Sequence, residues 1–172
     1  LNKKFSPGMD TGDYDHVFYT GPIDAYFDFK YGRLGYRTVT FEKSYALGDY
    51  QGLSQMNYCD EDVPYTRIAE HKHFTPWEQH EKTVYFREFS KETTEDDLPY
   101  YPKRLEADKQ LLMKYRQDAF ELTKVSFLGR LATYRYMDMH HVIGEAMQFA
   151  LDFIDSKQHK TKAPVFFNIE PG

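Results

Sequence analysis

Cysteine is nearly missing: Cys59 is the only one in 172 residues. A lone thiol can form neither an internal disulfide nor a CxxC metal knuckle, so a reducing, cytoplasmic setting is expected. No apolar run is long enough to span a bilayer, and the opening LNKKFSPGMD has neither an initiator Met nor the apolar core of a signal peptide. Runs of Lys or Arg are missing too. The 22 basic residues are outnumbered by 27 acidic ones, for a formal net charge of -5. That excludes a basic stripe for nucleic acid, while a few local arginines would still suffice for a small anion. There is no Walker loop, HExxH or nucleophile elbow. GRLGYR at 32–37 is not a dinucleotide fingerprint, because its spacing is wrong and it leads into a strand. No internal repeat or low-complexity tract occurs.

What the chain has in excess is aromatic: 15 Tyr and 14 Phe, with aromatics at 17%. Tyrosine combines a flat apolar face with a hydroxyl, which suits either the core of a β-rich domain or a surface that grips sugars and nucleotides. One domain's worth of residues is present. HVFYT at 16–20 reads as a strand, Gly21-Pro22 ends it, and a helix follows that Thr20 could cap. GYRTVTFEK at 35–43 alternates, placing Arg37, Val39 and Phe41 on one face and Tyr36, Thr38 and Thr40 on the other. Further strands are expected at 53–58, 65–73 and 83–89, which without intervening helices suggests an antiparallel sheet. After the turn-rich EDDLPYYPKR, residues 104–122 read as a helix with Leu105, Leu112, Tyr115 and Ala119 near one face. KVSFLG at 124–129 reads as a strand. Residues 138–155 form the clearest helix, with Val142, Ala146, Phe149 and Phe153 on one stripe and Ile143, Ala150 and Ile154 beside it. VFFNIEPG at the end reads as a short strand or as disorder. The fold class that follows is α/β, or mixed α+β, with an antiparallel sheet inserted into a discontinuous α/β domain.

Candidate sites come with two readings each. In Glu70-His71-Lys72-His73 a continuing strand would put both histidines on one face. Two His at that spacing lack a third zinc ligand, so no metal site is assigned and a sheet surface is expected. Arg37 lies beside Tyr36, and Arg67 follows Tyr65-Thr66. A guanidinium fork matches phosphate oxygens, and neighbouring hydroxyls add donors. Otherwise these arginines form cross-strand ion pairs on a solvated face, with Glu42, Glu70 and Glu88 as partners. Tyr100-Tyr101 sits between Pro99 and Pro102, as a ligand-facing turn or a junction plug. Gly129-Arg130 leads through YRYMDM into the long helix, where Asp138 is a plausible N-cap and the helix N-terminus would offer N–H groups to an anion.

Taken together, FYTGPIDAYFDFKYGRLGYRTVTFE, YQGLSQMNYCDEDVPYTRIAEHKHFTPWE, the PYYP turn and GRLATYRYMDMHHVI closely resemble bacterial UDP-galactopyranose mutases over nearly the whole chain. The resemblance implies interconversion of UDP-galactopyranose and UDP-galactofuranose through a covalent adduct between the sugar anomeric carbon and N5 of reduced FAD. It implies an isomerase that feeds galactofuranose into a cell-surface polysaccharide. It also implies a discontinuous Rossmann-like FAD-binding domain whose N-terminal fingerprint part is absent here. The expected layout is 1–30 as part of the FAD domain, 31–102 as the antiparallel substrate-binding sheet, and 103–172 as the returning FAD domain. By matching strings, Arg37 and Arg67 correspond to arginines at the substrate diphosphate, which stabilise the leaving UDP. Tyr101 and Tyr136 correspond to phenols at the diphosphate or sugar, and Asn57 to a residue near sugar and flavin. Arg130, with Tyr136, Met137 and Asp138, corresponds to the FAD-binding set. The partners implied are UDP-galactose and further copies of the same chain. The 172-residue chain alone is expected to bind FAD weakly or not at all, to lack mutase activity and to self-associate. Alternatives are a non-catalytic nucleotide-sugar or protein binding module, and an oxidase-type flavoprotein. The latter has no use for two diphosphate-binding arginines.

Overall fold

A computed structural model of the chain describes Phe5, Met9, Gly12 and residues 14–169. It divides into two compact units. The first comprises residues 1–36 and 99–172, and the second residues 37–98. The sheet unit is therefore inserted in sequence, and the chain passes between units twice. No helix among the described residues is long and apolar enough to cross a membrane.

The first unit is built on a parallel pair, β1 (Val17–Tyr19) and β6 (Val125–Phe127). Parallel neighbours so far apart in sequence are joined by long excursions, as in α/β folds. A four-residue helix, α1 (Ile23–Tyr26), follows β1. Pro22 takes its N-cap position with no side-chain cap. The expected Thr20 cap is thus corrected: Gly21-Pro22 intervenes, so helical geometry starts too late for Thr20 to reach it. Helix α2 (Glu106–Phe120) buries Leu112, Tyr115 and Ala119. Leu105 precedes the helix and is 54% exposed, so it does not belong to that stripe. Asp108 caps the helix instead, accepting the Leu105 N–H at 3.0 Å and the Gly35 N–H at 3.0 Å. After β6 come α3 (Gly129–Ala132) and α4 (Met139–Gln158). α4 buries Phe149 and Ser156, with Phe153 half-buried, while Ala146 is exposed rather than part of the buried stripe. The final segment contributes Val165 and Phe166 to the core, but forms bends rather than a strand up to Ile169.

Asp24 on α1 is almost fully buried. It accepts the N–H groups of Leu34 at 2.9 Å and Ala25 at 3.0 Å. Burial nevertheless raises its pKa, because two backbone donors do not fully replace water.

In the second unit four strands pair antiparallel in the order β3-β4-β5-β2: β2 (Tyr36–Leu47), β3 (Gln55–Asn57), β4 (Arg67–Glu70) and β5 (Lys82–Glu92). The β2–β5 ladder runs without a bulge from Arg37↔Glu92 to Leu47↔Lys82. Its register puts Arg37, Val39 and Phe41 on one face, as their alternation predicts. β4 is shorter than expected. It stops at Glu70, and His71–Phe74 forms a 3-10 turn. His71 and His73 therefore do not share a strand face. The reason lies in Glu70, which is a buried anchor and not a solvated ion-pair partner. Its side chain is fully buried and accepts three consecutive N–H groups: Tyr50 at 2.9 Å, Gln51 at 2.8 Å and Gly52 at 3.1 Å. Burial pushes this carboxyl upward, but the backbone donors outweigh burial and hold its pKa down to about 2. Lys72 fastens the same loop, donating to the Gly48 carbonyl at 2.8 Å and pairing with Asp49. Gly48 and Gly52 both adopt positive φ, 65° and 75°, which bends the loop back over β4.

Candidate substrate and cofactor sites

On the sheet of the second unit, Asn57, Arg67, Glu88 and Phe41 form one row across β3, β4, β5 and β2. Side chains directly opposite in adjacent strands share a face, so one register sets all four. Arg67 Nε donates to Asn57 Oδ1 at 2.9 Å, and Arg67 Nη1 lies 3.7 Å from Glu88 Oε2. The guanidinium is half-buried and held from both sides. Beside it lies a groove of about 350 Å³ lined by Arg67 and Glu88 together with Phe41, His71, Phe74 and Phe86. That volume is at the lower end of small-molecule sites, and polar groups beside an aromatic floor suit a ligand with a charged part and a flat part.

Arg37 lies on the same face, four residues before Phe41, so roughly 13 Å along the strand at about 3.3 Å per residue. It donates from Nε to Ser90 Oγ at 3.1 Å and from Nη1 to Glu92 Oε1 at 2.9 Å. The structure thus joins Asn57 to Arg67, and places Arg37 on their face without contact. Glu88 and Glu92 hold the two arginines in position. Glu88 was legible as an ion-pair partner. Glu92 and Ser90 were not singled out, although the alternation of β5 puts both on the face of Glu88.

The remaining candidates belong to the first unit. Gly129, at φ 79°, opens α3. Thr133 Oγ1 donates to the Gly129 carbonyl at 2.7 Å, and the Arg135 N–H donates to the Arg130 carbonyl at 3.0 Å. These bonds tighten the segment that carries Arg130 and Tyr136. The Arg130 guanidinium lies 4.6 Å from the Tyr101 ring centroid, and the Tyr101 and Tyr136 rings stack with centroids 6.0 Å apart. Arg130, Tyr101 and Tyr136 therefore form one set, and Arg130 has no carboxylate partner among the described residues. Met137 is buried. Asp138 occupies the N-cap position of α4, and its carbonyl accepts the Val142 N–H at 3.1 Å. Its side chain makes no cap hydrogen bond and lies 4.0 Å from His141 Nδ1, so its expected capping role is carried by the backbone alone.

Asp49, Glu70 and His73 bring ligand-type atoms within 4.8 Å of one another. The Glu70 oxygens already serve three N–H donors, and Lys72 already neutralises Asp49. That chemistry locks a loop; it does not leave a set of free donors for a cation.

A family model described as UDP-galactopyranose mutase matches residues 1–136. A "Probable UDP-galactopyranose mutase" of Klebsiella pneumoniae is 50% identical over 166 residues, covering 96% of this chain and 43% of its own length. A "dTDP-fucopyranose mutase" of Escherichia coli is 51% identical over 146 residues, covering 84% of this chain and 39% of its own length. The chain thus spans about two fifths of these curated relatives. A crystal structure of reduced UDP-galactopyranose mutase superposes with a TM-score of 0.64 at 13% identity, covering 90% of this chain and 46% of that one. At that identity the likeness concerns the fold: a mixed α/β architecture with an antiparallel sheet, matching part of a longer chain.

Proposed function

The chain belongs to the UDP-galactopyranose mutase family, and on that premise we propose that it carries the substrate sheet and part of the FAD site of an enzyme that interconverts UDP-galactopyranose and UDP-galactofuranose. The observation that carries this reading furthest is Arg67, fixed by Asn57 and Glu88 at the end of an aromatic-lined groove. Departure of UDP from the anomeric carbon places negative charge on the diphosphate. A guanidinium already held in position stabilises that charge with little reorganisation. Arg37, farther along the same face, supplies a second cation. Asn57 orients Arg67 and offers its amide N–H groups to the sugar. Because the leaving group departs as an anion that a guanidinium stabilises, no general acid is needed to protonate it.

FAD fits the residues of the first unit. Arg130 has no carboxylate partner among the described residues and is suited to a cofactor phosphate. The N-terminus of the 20-residue α4 adds N–H groups, with Asp138 exposed beside it to accept from hydroxyls. Tyr136 and buried Met137 complete the set. When bound and reduced, the flavin supplies the nucleophile for the anomeric carbon. The sheet unit, residues 37–98, corresponds in this reading to the substrate domain, and the rest to returning parts of the FAD domain. A dTDP-linked 6-deoxyhexose is a second reading, supported by the relative of that name at 51% identity.

The test is UDP binding by calorimetry, wild type against Arg67→Ala. A charge-assisted contact is worth roughly 1.5–3 kcal/mol, so affinity should fall at least about tenfold. Equal affinity in the variant would remove Arg67 from the site. Titrating dTDP in parallel separates the two substrate readings, the tighter nucleotide naming the substrate. We further propose that the 172-residue chain by itself binds FAD weakly or not at all and is inactive as a mutase. Purified chain that is yellow with bound flavin would contradict this.

A further inference from the structure

α4 opens on Asp138-Met139-His140-His141, with Asp138 at the N-cap and the two histidines at the second and third helical positions. An N-cap side chain normally lies over those two positions, because that is where it finds a backbone N–H to accept. Asp138 makes no such bond. Its carboxylate lies beside the imidazoles instead. Oδ2 is 4.0 Å from His141 Nδ1, and the rings of His140 and His141 have centroids 4.0 Å apart. One ligand-type atom from each of the three lies within 4.8 Å of the other two, and all three residues are exposed. Among the described residues these side chains make no hydrogen bond and no other ion pair. That separates them from Asp49, Glu70 and His73, whose oxygens already serve the 48–52 loop. Glu145, one turn after His141, is held by both Nη atoms of Arg135 at 3.0 and 2.5 Å and is not a fourth donor.

Two imidazoles and one carboxylate are the donors that a zinc-type cation takes, whereas calcium and magnesium select oxygen alone. Ligands about 2.0–2.1 Å from a tetrahedral zinc are roughly 3.4 Å apart. Exposed side chains on one helical turn reach that spacing by rotation about χ1 and χ2, with the backbone unchanged. The positive end of the helix dipole disfavours a cation here, and the Asp138 charge offsets it. We propose that Asp138, His140 and His141 bind a divalent transition cation of the zinc type, with water in the open fourth position. The site does not depend on the mutase reading. Asp138 is shared with the proposed FAD set, but neither histidine is.

The probe is zinc chloride, titrated by calorimetry into the flavin-free chain without a polyhistidine tag. Binding with Kd below about 0.1 mM is expected. Loss of a group that only orients a metal ligand costs about 10–100-fold in affinity. Loss of a ligand should cost no less, so His140→Ala and His141→Ala should each weaken binding at least about tenfold. Asp138→Asn, which keeps the shape and removes the charge, should also weaken it. All three positions are exposed, so these substitutions spare the fold. His73→Ala, in the committed loop cluster, should leave the affinity unchanged. Absence of binding would overturn the proposal, as would an affinity that any of the three substitutions leaves unmoved, or a loss that follows His73→Ala instead. Because the titration is made without flavin, its failure is not mistaken for a failure of the FAD reading.

Discussion

The two units each bury a carboxylate, and the two respond to burial with opposite sign. Asp24, in the first unit, accepts from two backbone N–H groups and, at 3.5 Å, from the Tyr36 hydroxyl, and its pKa is raised because desolvation wins. Glu70, in the second, has three donors from one loop, and its pKa falls to about 2 against the same opposing effect. The difference teaches that burial alone does not set the charge cost of a buried acid; how far close backbone donors offset desolvation does. It also marks two styles of construction. The first unit is held by an aromatic core around Phe127 and Tyr115, both fully buried. The second depends more on a polar clasp that shapes the 48–52 loop and ends β4 beside the groove.

The largest effect that can sharpen this contrast is removal of core volume. Phe127→Ala should cost about 3–5 kcal/mol of stability by urea denaturation. A loss under about 1 kcal/mol would mean that the first unit's core is not organised around this ring. Next is Glu70→Gln, which keeps the shape and removes the charge from three donors. It should cost roughly 2–3 kcal/mol and expose the Tyr50, Gln51 and Gly52 amides to hydrogen exchange. Asp24→Asn should cost less, since burial already disfavours its charged form. The reverse order would break the comparison.

Acid provides a smaller and signed test. Glu70 has a folded pKa below its ordinary 4.5, so its stabilisation is complete above that value and is lost as pH falls through about 2. Asp24 has a folded pKa above its ordinary 3.8, so in that window the folded state binds more protons and acidification favours folding. Amide exchange at pH 7 and pH 3.5 should therefore show the 50–52 loop losing protection relative to Leu34. Parallel loss at both places would refute the assignment. The smallest effect concerns the candidate site. Asn57→Ala, at an exposed position, should change stability by less than about 0.5 kcal/mol while weakening UDP binding severalfold. A variant that unfolds instead would make Asn57 structural.

Much of the sheet was legible because alternation has a period of two and admits one register per buried face. Arg37, Val39 and Phe41 followed from it; Glu88 was one of three acids expected as partners, and only the register set it opposite Arg67. The long helix at 139–158 was legible from its 3.6-residue period, but which apolar residues are covered was not. Ala146 and Ile143 lie close to the buried stripe and are exposed. The 3-10 turn at His71–Phe74 was missed because it depends on Glu70 being held by a loop some 20 residues earlier. The meeting of Arg116 and Arg135 on Thr133 was invisible for the same reason, drawing on positions 116, 133 and 135.

By itself, the sequence determined the class of each main element, the face on which the sheet arginines lie, and the family, because those depend on local periodicity and on long strings of residue identity. Only the tertiary structure decided that Glu70 is an anchor, that Arg130 meets Tyr101 and Tyr136, and that Arg116 converges with Arg135 on Thr133. Those outcomes depend on which distant donors and charges share a dielectric environment, and distance along a chain carries no record of that.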